Sequence, residues 1–250
     1  MKKRGFLKGL LVLPFLVASK AFSQVSHTII HGTSPVKATP WLLLNSGGDI
    51  TQDGTFSQST SSDPTISHSQ GSLTNGYVLV IAGYTFSAAS SNATATYDGS
   101  AMTEIASYSQ ASFYHIKMFY RDLGTSSSGS KNAVVTHTDA ITSSLTTVIT
   151  FGGVKQGGGF TVVNNGGFAI PQTFNIATTS NRELVVAGLA VNQTAANVIP
   201  NGTQINENDG SGLTYNNQKL SGTGDTVTVT WNLGASAHGA YVGVVLQPAS

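Results

Sequence analysis

The chain contains no cysteine, which excludes disulfide scaffolds, thiol nucleophiles and zinc ribbons together. It is almost as poor in charge. Only 9% of its 250 residues are Asp, Glu, Lys or Arg, against about a quarter in an ordinary soluble domain. That scarcity argues against a charged helical protein, a basic-striped nucleic-acid binder and a coiled coil, all of which need ordered charge. Helix signals are missing too: past the first twenty positions no window combines 3.6-residue periodicity with helix-favouring residues. In their place stand 28 glycines, 30 serines and 30 threonines. Polarity comes from hydroxyls and amides rather than ionised groups.

The little charge present is unevenly placed. Lys2, Lys3, Arg4, Lys8 and Lys20 open the chain with no acid among them; beyond residue 23 there are 7 basic and 11 acidic residues, a net charge of −4. A body of that sign is repelled by a phosphate backbone, so no nucleic-acid partner is expected. The opening itself has the layout of an export signal: the basic triplet, an apolar stretch over residues 6 to 17, and Ala21-Phe22-Ser23 before Gln24. The stretch is shorter than the roughly 20 residues of a membrane span, and Pro14 interrupts it. No stable span is predicted. Lys3-Arg4-Gly5-Phe6-Leu7-Lys8 resembles the twin-arginine export motif, with Lys3 in place of the first arginine. Two fates follow for residues 1 to 23: a leader cleaved after Ser23, or a hydrophobic arm that docks on a partner.

Residues 24 to 75 read as an irregular Ser/Thr/Gly-rich extension with one short strand near Trp41, and residues 54 to 74 as loop. From Tyr77 onward strand signals recur. Tyr77-Val78-Leu79-Val80-Ile81-Ala82 and Leu184-Val185-Val186-Ala187-Gly188-Leu189 are continuous apolar runs, as in strands buried on both faces. Asp98-Gly99 is a hairpin turn signal. Thr226-Val227-Thr228-Val229-Thr230-Trp231 alternates cleanly, which places Trp231 in the core with Val227 and Val229. About ten strands in one domain, residues 76 to 250, predict an all-β fold: a two-sheet antiparallel β-sandwich, jelly-roll-like, behind an extended N-terminal arm. No internal repeat of solenoid length is visible.

Four features in order resemble a β-sandwich domain common in phage virion proteins and bacterial surface proteins. They are the hairpin Ala95-Thr96-Tyr97-Asp98-Gly99-Ser100-Ala101-Met102-Thr103, the aromatic strand end Met118-Phe119-Tyr120, the segment Phe151-Gly152-Gly153-Val154-Lys155-Gln156 with Pro171 downstream, and the terminal Val244-Val245-Leu246-Gln247-Pro248. The resemblance implies an accessory or structural module on virions or cell surfaces. It implies no catalytic residues.

A search of the residues for chemistry yields little. No G-x-S-x-G elbow is present. Glu104 and Glu183 are the one carboxylate pair on predicted strands that a glycan-cleaving jelly roll could use, provided they face each other across a cleft. Asn206-Glu207-Asn208-Asp209-Gly210-Ser211-Gly212 partly resembles a calcium loop, with Asn206, Asn208 and Asp209 as oxygen donors, but lacks the first Asp and the distal Glu; the competing reading is an ordinary Asn/Gly turn. No other cofactor is expected. Alternation over residues 113 to 120 puts Tyr114, Ile116, Met118 and Tyr120 on a core face. Phe113, His115, Lys117 and Phe119, ending beside Arg121, form a mixed face that could meet a partner or a glycan. The expectation is a non-enzymatic structural or adhesive β-sandwich outside the cytoplasm, as a virion decoration, tail or fibre-associated protein, with identical copies or other surface proteins as partners. The alternatives are a secreted carbohydrate-binding module and, behind it, a glycan-cleaving enzyme.

Overall fold

The computed structural model describes residues 50–86, 92–110, 114–192, 198–210 and 213–250. The compact unit that holds them is Pro40–Ser250. It is all-β, as the sequence predicts, but with 17 strands. In chain order these are β1 (Thr51–Ser59), β2 (Thr65–Gln70), β3 (Leu73–Phe86), β4 (Ala93–Tyr97), β5 (Ser100–Ala101), β6 (Thr103–Gln110), β7 (Tyr114–Ser126), β8 (Gly129–His137), β9 (Ile141–Gly152), β10 (Thr161–Ala169), β11 (Gln172–Ala177), β12 (Leu184–Val191), β13 (Val198–Pro200), β14 (Thr203–Gly210), β15 (Leu213–Ser221), β16 (Thr226–Leu233) and β17 (Ala237–Leu246). Residues 54 to 74, expected as loop, are therefore largely β1, β2 and the start of β3. The strand expected near Trp41 and the whole of residues 1 to 23 lie outside the described residues.

The strands form four antiparallel sheets with the orders β1-β9-β3-β7-β6, β2-β8-β4-β5, β10-β17-β12-β15-β14 and β11-β16-β13. Apart from the pairs β4–β5, β6–β7 and β14–β15, consecutive strands within each half alternate between facing sheets, the interleaving of a jelly roll. The order also repeats. Replacing β1, β9, β3, β7 and β6 by β10, β17, β12, β15 and β14 turns the first five-stranded sheet into the second, and β2, β8 and β4 become β11, β16 and β13. One jelly-roll sandwich is thus built from residues 50 to 152 and a second from residues 161 to 246. The expected β-sandwich is present, but its strands begin at Thr51 and fall into four sheets, in two halves of like topology. The sequence trace of the repeat is Leu79-Val80-Ile81-Ala82-Gly83 against Leu184-Val185-Val186-Ala187-Gly188, at matching places in β3 and β12.

Three cores separate four layers. Val78, Val80, Tyr84 and Phe119 of the first large sheet close on Ile66, Tyr97, Ala133 and Val135 of the small sheet outside it. Val185, Leu189, Tyr241 and Val245 of the second large sheet close likewise on Phe174, Ile176, Val229 and Trp231. Between the two sandwiches, Tyr77, Leu79, Ile81, Ile116, Met118, Ile149 and Phe151 meet Val186, Val242, Val244 and Leu246. Both large sheets are covered on both faces, which is why β3 and β12 are continuous apolar runs. In this central interface β6 lies against β10 and β17, while β14 lies against β9 and reaches β1 through Asn206 and Gln58. Since β14 corresponds to β6 and β1 to β10, the contact is isologous, the pattern of a two-fold dimer joined in one chain.

Candidate interaction surfaces

The mixed face expected along β7 is not a surface. Because β7 sits between β3 and β6 in a sheet covered on both sides, His115 and Phe119 are each 3% exposed, facing the small outer sheet. Lys117, on the same face, is ion-paired with Glu104 at 2.6 Å. Phe113 lies outside the described residues. The alternation of that segment was legible; the second cover was not. Of the four described positions, Arg121 lines a cleft, where its Nη1 donates to the Tyr97 carbonyl at 2.6 Å.

The carboxylate pair is not brought together either. Glu104 belongs to β6 in the first large sheet, whereas Glu183 immediately precedes β12 in the second. Glu183 is buried, and its oxygens accept from the Thr179 N–H and Oγ1, at 2.6 and 2.7 Å, and from Gln247 Nε2 at 3.3 Å. It staples the approach to β12 onto the end of the chain. The condition for a two-carboxylate cleft is not met.

Residues 206 to 210 of the calcium-loop segment are strand. Asn206, Asn208 and Asp209 lie in β14, with Asn208 opposite Tyr215 and Asp209 opposite Thr214. Asn206 points inward at 4% exposure; its Nδ2 donates to Gln58 Oε1 and Thr147 Oγ1, and its Oδ1 accepts from Asn217 Nδ2 at 2.7 Å. These donors and acceptors join the two large sheets. Among the described residues no three His, Asp or Glu side chains are grouped to hold a metal.

Two clefts occupy matching places in the two sandwiches. Each is bounded by the connection after β4 or β13, the end of β7 or β15, and the start of β8 or β16. In the first sandwich the space is about 280 Å³ and crowded with long side chains. Arg121 reaches over to Tyr97, Lys131 pairs with Asp98 at 2.9 Å, and Gln70 bridges Tyr97 Oη to Ser126 and Ser127. In the second it is about 820 Å³, lined by Asn201, Thr203, Leu220, Ser221, Thr223 and Val227 among others. Ser221 Oγ is buried there without a partner among the described residues. Lys219 also lines it, but its ammonium is turned to Gln52 Oε1 on β1, and burial pulls its pKa below the usual lysine range. Sequence reading missed this group, because the residues are small and scattered over three strands. The signal that could have found it is the Leu-Val-x-Ala-Gly repeat, which aligns the halves.

The outermost faces of the stack share one chemistry. Thr65, Ser67 and Ser69 of β2 lie beside Ser130, Asn132 and Thr136 of β8, all exposed; Thr173 and Asn175 of β11 lie beside Thr226, Thr228 and Asn232 of β16. Cross-strand pairs tie these ladders, as in Ser67 Oγ–Ser130 Oγ at 2.6 Å and Thr173 Oγ1–Thr230 Oγ1 at 2.9 Å. No ionisable residue points outward from β2, β8, β11 or β16, where the outward positions alternate with buried ones. Among the described residues the large exposed apolar side chains are Phe168 and Ile170, 62% and 51% exposed at the turn between β10 and β11, with Val162 on β10 and Ile199 on β13. No protein-family model matches the chain, and searches of curated proteins and of solved structures find no significant match.

Proposed function

We propose that the protein is a non-enzymatic structural or adhesive β-sandwich module working outside the cytoplasm, in the manner of a virion or cell-surface component. The observation that carries this reading is the chemistry of the two outer faces, which present uncharged hydroxyl and amide ladders at both ends of a rigid four-layer stack. Such faces, with the apolar turn between β10 and β11, suit repeated assembly with copies of itself or with other surface proteins. The carboxylates a glycosidase would need are committed to separate contacts in different sheets, which weighs against an enzyme. The basic, apolar N-terminus supports export, or anchoring as an arm.

Sedimentation of the native protein across a salt series tests the reading. Contacts of this type are weakly screened, so the assembly should persist between low and molar salt. Dissociation by modest salt, or a monomer at every concentration, overturns it. Intact mass separates the two fates of the N-terminus: a chain beginning at Gln24 means export, and one beginning at Met1 means an arm. A second reading, glycan binding, is favoured by the open cleft of the second sandwich.

A further inference from the structure

The two clefts are an internal comparison of one site in two states of filling. They stand at matching positions, yet one is crossed by Arg121, Lys131 and Gln70, whereas in the other the long side chain among the described lining residues, Lys219, is turned to Gln52. The second is about three times larger, 820 against 280 Å³, inside the range of roughly 300–1,000 Å³ typical of small-molecule sites. We propose that this open cleft binds a neutral, polyhydroxylated ligand: a short segment of an uncharged glycan. The inference deepens the adhesive reading given above.

Three properties of the lining point to that ligand class. The first is the scarcity of ions: among the described residues no carboxylate lines the cleft, and the ammonium of Lys219 is directed to Gln52. A basic ligand would find no counter-charge to offset its lost hydration, and an acidic one only an ammonium already held by Gln52. The second is the supply of hydroxyls on Thr203, Ser221, Thr223 and Thr226, each able to donate and accept, as sugar hydroxyls require. Ser221 Oγ is already dehydrated and lacks a partner among the described residues, a group that a ligand hydroxyl would satisfy. The third is the floor of Leu220 and Val227, an apolar strip against which the C–H face of a sugar ring can lie. In the first sandwich the same space is closed by internal bonds, so a single glycan segment per chain is expected.

The test is an array of neutral oligosaccharides (gluco-, manno-, galacto- and chito-oligomers) with sialylated and sulfated sets alongside, followed by calorimetry on the best neutral oligomer. Thr223 is exposed, so Thr223→Arg places in the open cleft the kind of side chain that fills its counterpart without disturbing the core. It should weaken binding at least tenfold with an unchanged melting temperature. Ser221→Ala should weaken it severalfold. Thr136→Arg, on the opposite outer face, should leave binding unchanged. The proposal is overturned if no neutral oligomer binds at millimolar concentration, if only the acidic sets or a peptide bind, or if Thr223→Arg binds as well as the parent. Any of those results leaves the salt-series outcome untouched, so loss of this site and loss of the assembly reading are told apart.

Discussion

His68 is fully buried between sheets, with Nδ1 3.0 Å from Ser57 Oγ and Nε2 3.0 Å from Thr150 Oγ1. Hydroxyls can serve both nitrogens of a neutral imidazole, one as donor and one as acceptor; protonation makes both ring nitrogens donors in a buried site. Burial therefore pulls the pKa below 6.5, and the Asp53 carboxylate offsets this in part. A histidine whose folded pKa lies below its unfolded one contributes stability that is fully present above the unfolded value. That stability is lost as pH falls from 6.5 towards the folded pKa. Urea midpoints should therefore be flat at pH 7 to 8 and decline below about pH 6.5, with a slope of at most about 1.4 kcal/mol per unit from this group. His68→Gln should flatten that part of the profile. An unchanged slope in His68→Gln would assign the acid lability elsewhere.

Trp231 carries a second residue-scale prediction. It is completely buried, and its Nε1 donates to Asn216 Oδ1 at 3.0 Å in the core of the second sandwich. Trp231→Phe strands a buried amide oxygen and should cost about 1–3 kcal/mol beyond the volume lost. Pairing it with Asn216→Leu removes the stranded group, so the double variant should be more stable than the sum of the single changes predicts. A denaturation double-mutant cycle measures the coupling.

At the scale of elements, the Asp98-Gly99 turn between β4 and β5 holds φ at 50° and 72°. Two consecutive left-handed residues are what a type I′ hairpin requires. Gly99→Ala puts a Cβ on the second of them and should cost about 1–2 kcal/mol. Asp98→Asn suits the turn and should cost only its exposed pair with Lys131, about 0–1 kcal/mol. Thermal melts of the two variants check the ranking.

That turn was legible because its sequence signal is local. So were β3, β12, β16 and β17, whose Val-rich runs or alternation reflect apolar cores. β14 and β15 were not, and the reason is physical. Asn206, Asn216 and Asn217 are buried by pairing with Thr147, Trp231 and one another, and Gln218 by pairing with the Gly202 N–H and the Thr230 carbonyl, so these strands lack the apolar pattern that reading depends on. β1 escaped for a related reason: Thr51-Gln52-Asp53-Gly54-Thr55-Phe56-Ser57-Gln58-Ser59 is an edge strand, half exposed, with one large apolar residue. The duplication escaped because little more than Leu-Val-x-Ala-Gly survives of it. The expected site on β7 failed since alternation gives two faces but not what covers each. The open cleft becomes visible only when the halves are superposed by strand order.

At the scale of the whole molecule, the question is whether two sandwiches with separate outer cores unfold separately. The central interface argues that they do not. Its two glycines, Gly83 and Gly188, occupy matching positions, and each touches the opposite sandwich. A Cβ on Gly83 would enter the ring of Tyr215, and one on Gly188 would come within 2.9 Å of both Ile81 and Ile116. Around this close approach the apolar residues of both large sheets form one core, bordered by Thr147 accepting from Asn206 and Asn217. Separating the halves would expose the inner faces of both five-stranded sheets at once, so neither sandwich gains by unfolding alone. A single calorimetric transition is expected, with van't Hoff and calorimetric enthalpies equal. Gly83→Ala should lower that one transition by overpacking, at a cost of about 1–3 kcal/mol. The decisive readout is hydrogen exchange in the second sandwich. If the interface couples the halves, Gly83→Ala accelerates exchange in β12 and β17 as much as in β3 and β9. Acceleration confined to β3 and β9, or a split calorimetric peak, would show two independent sandwiches that merely touch.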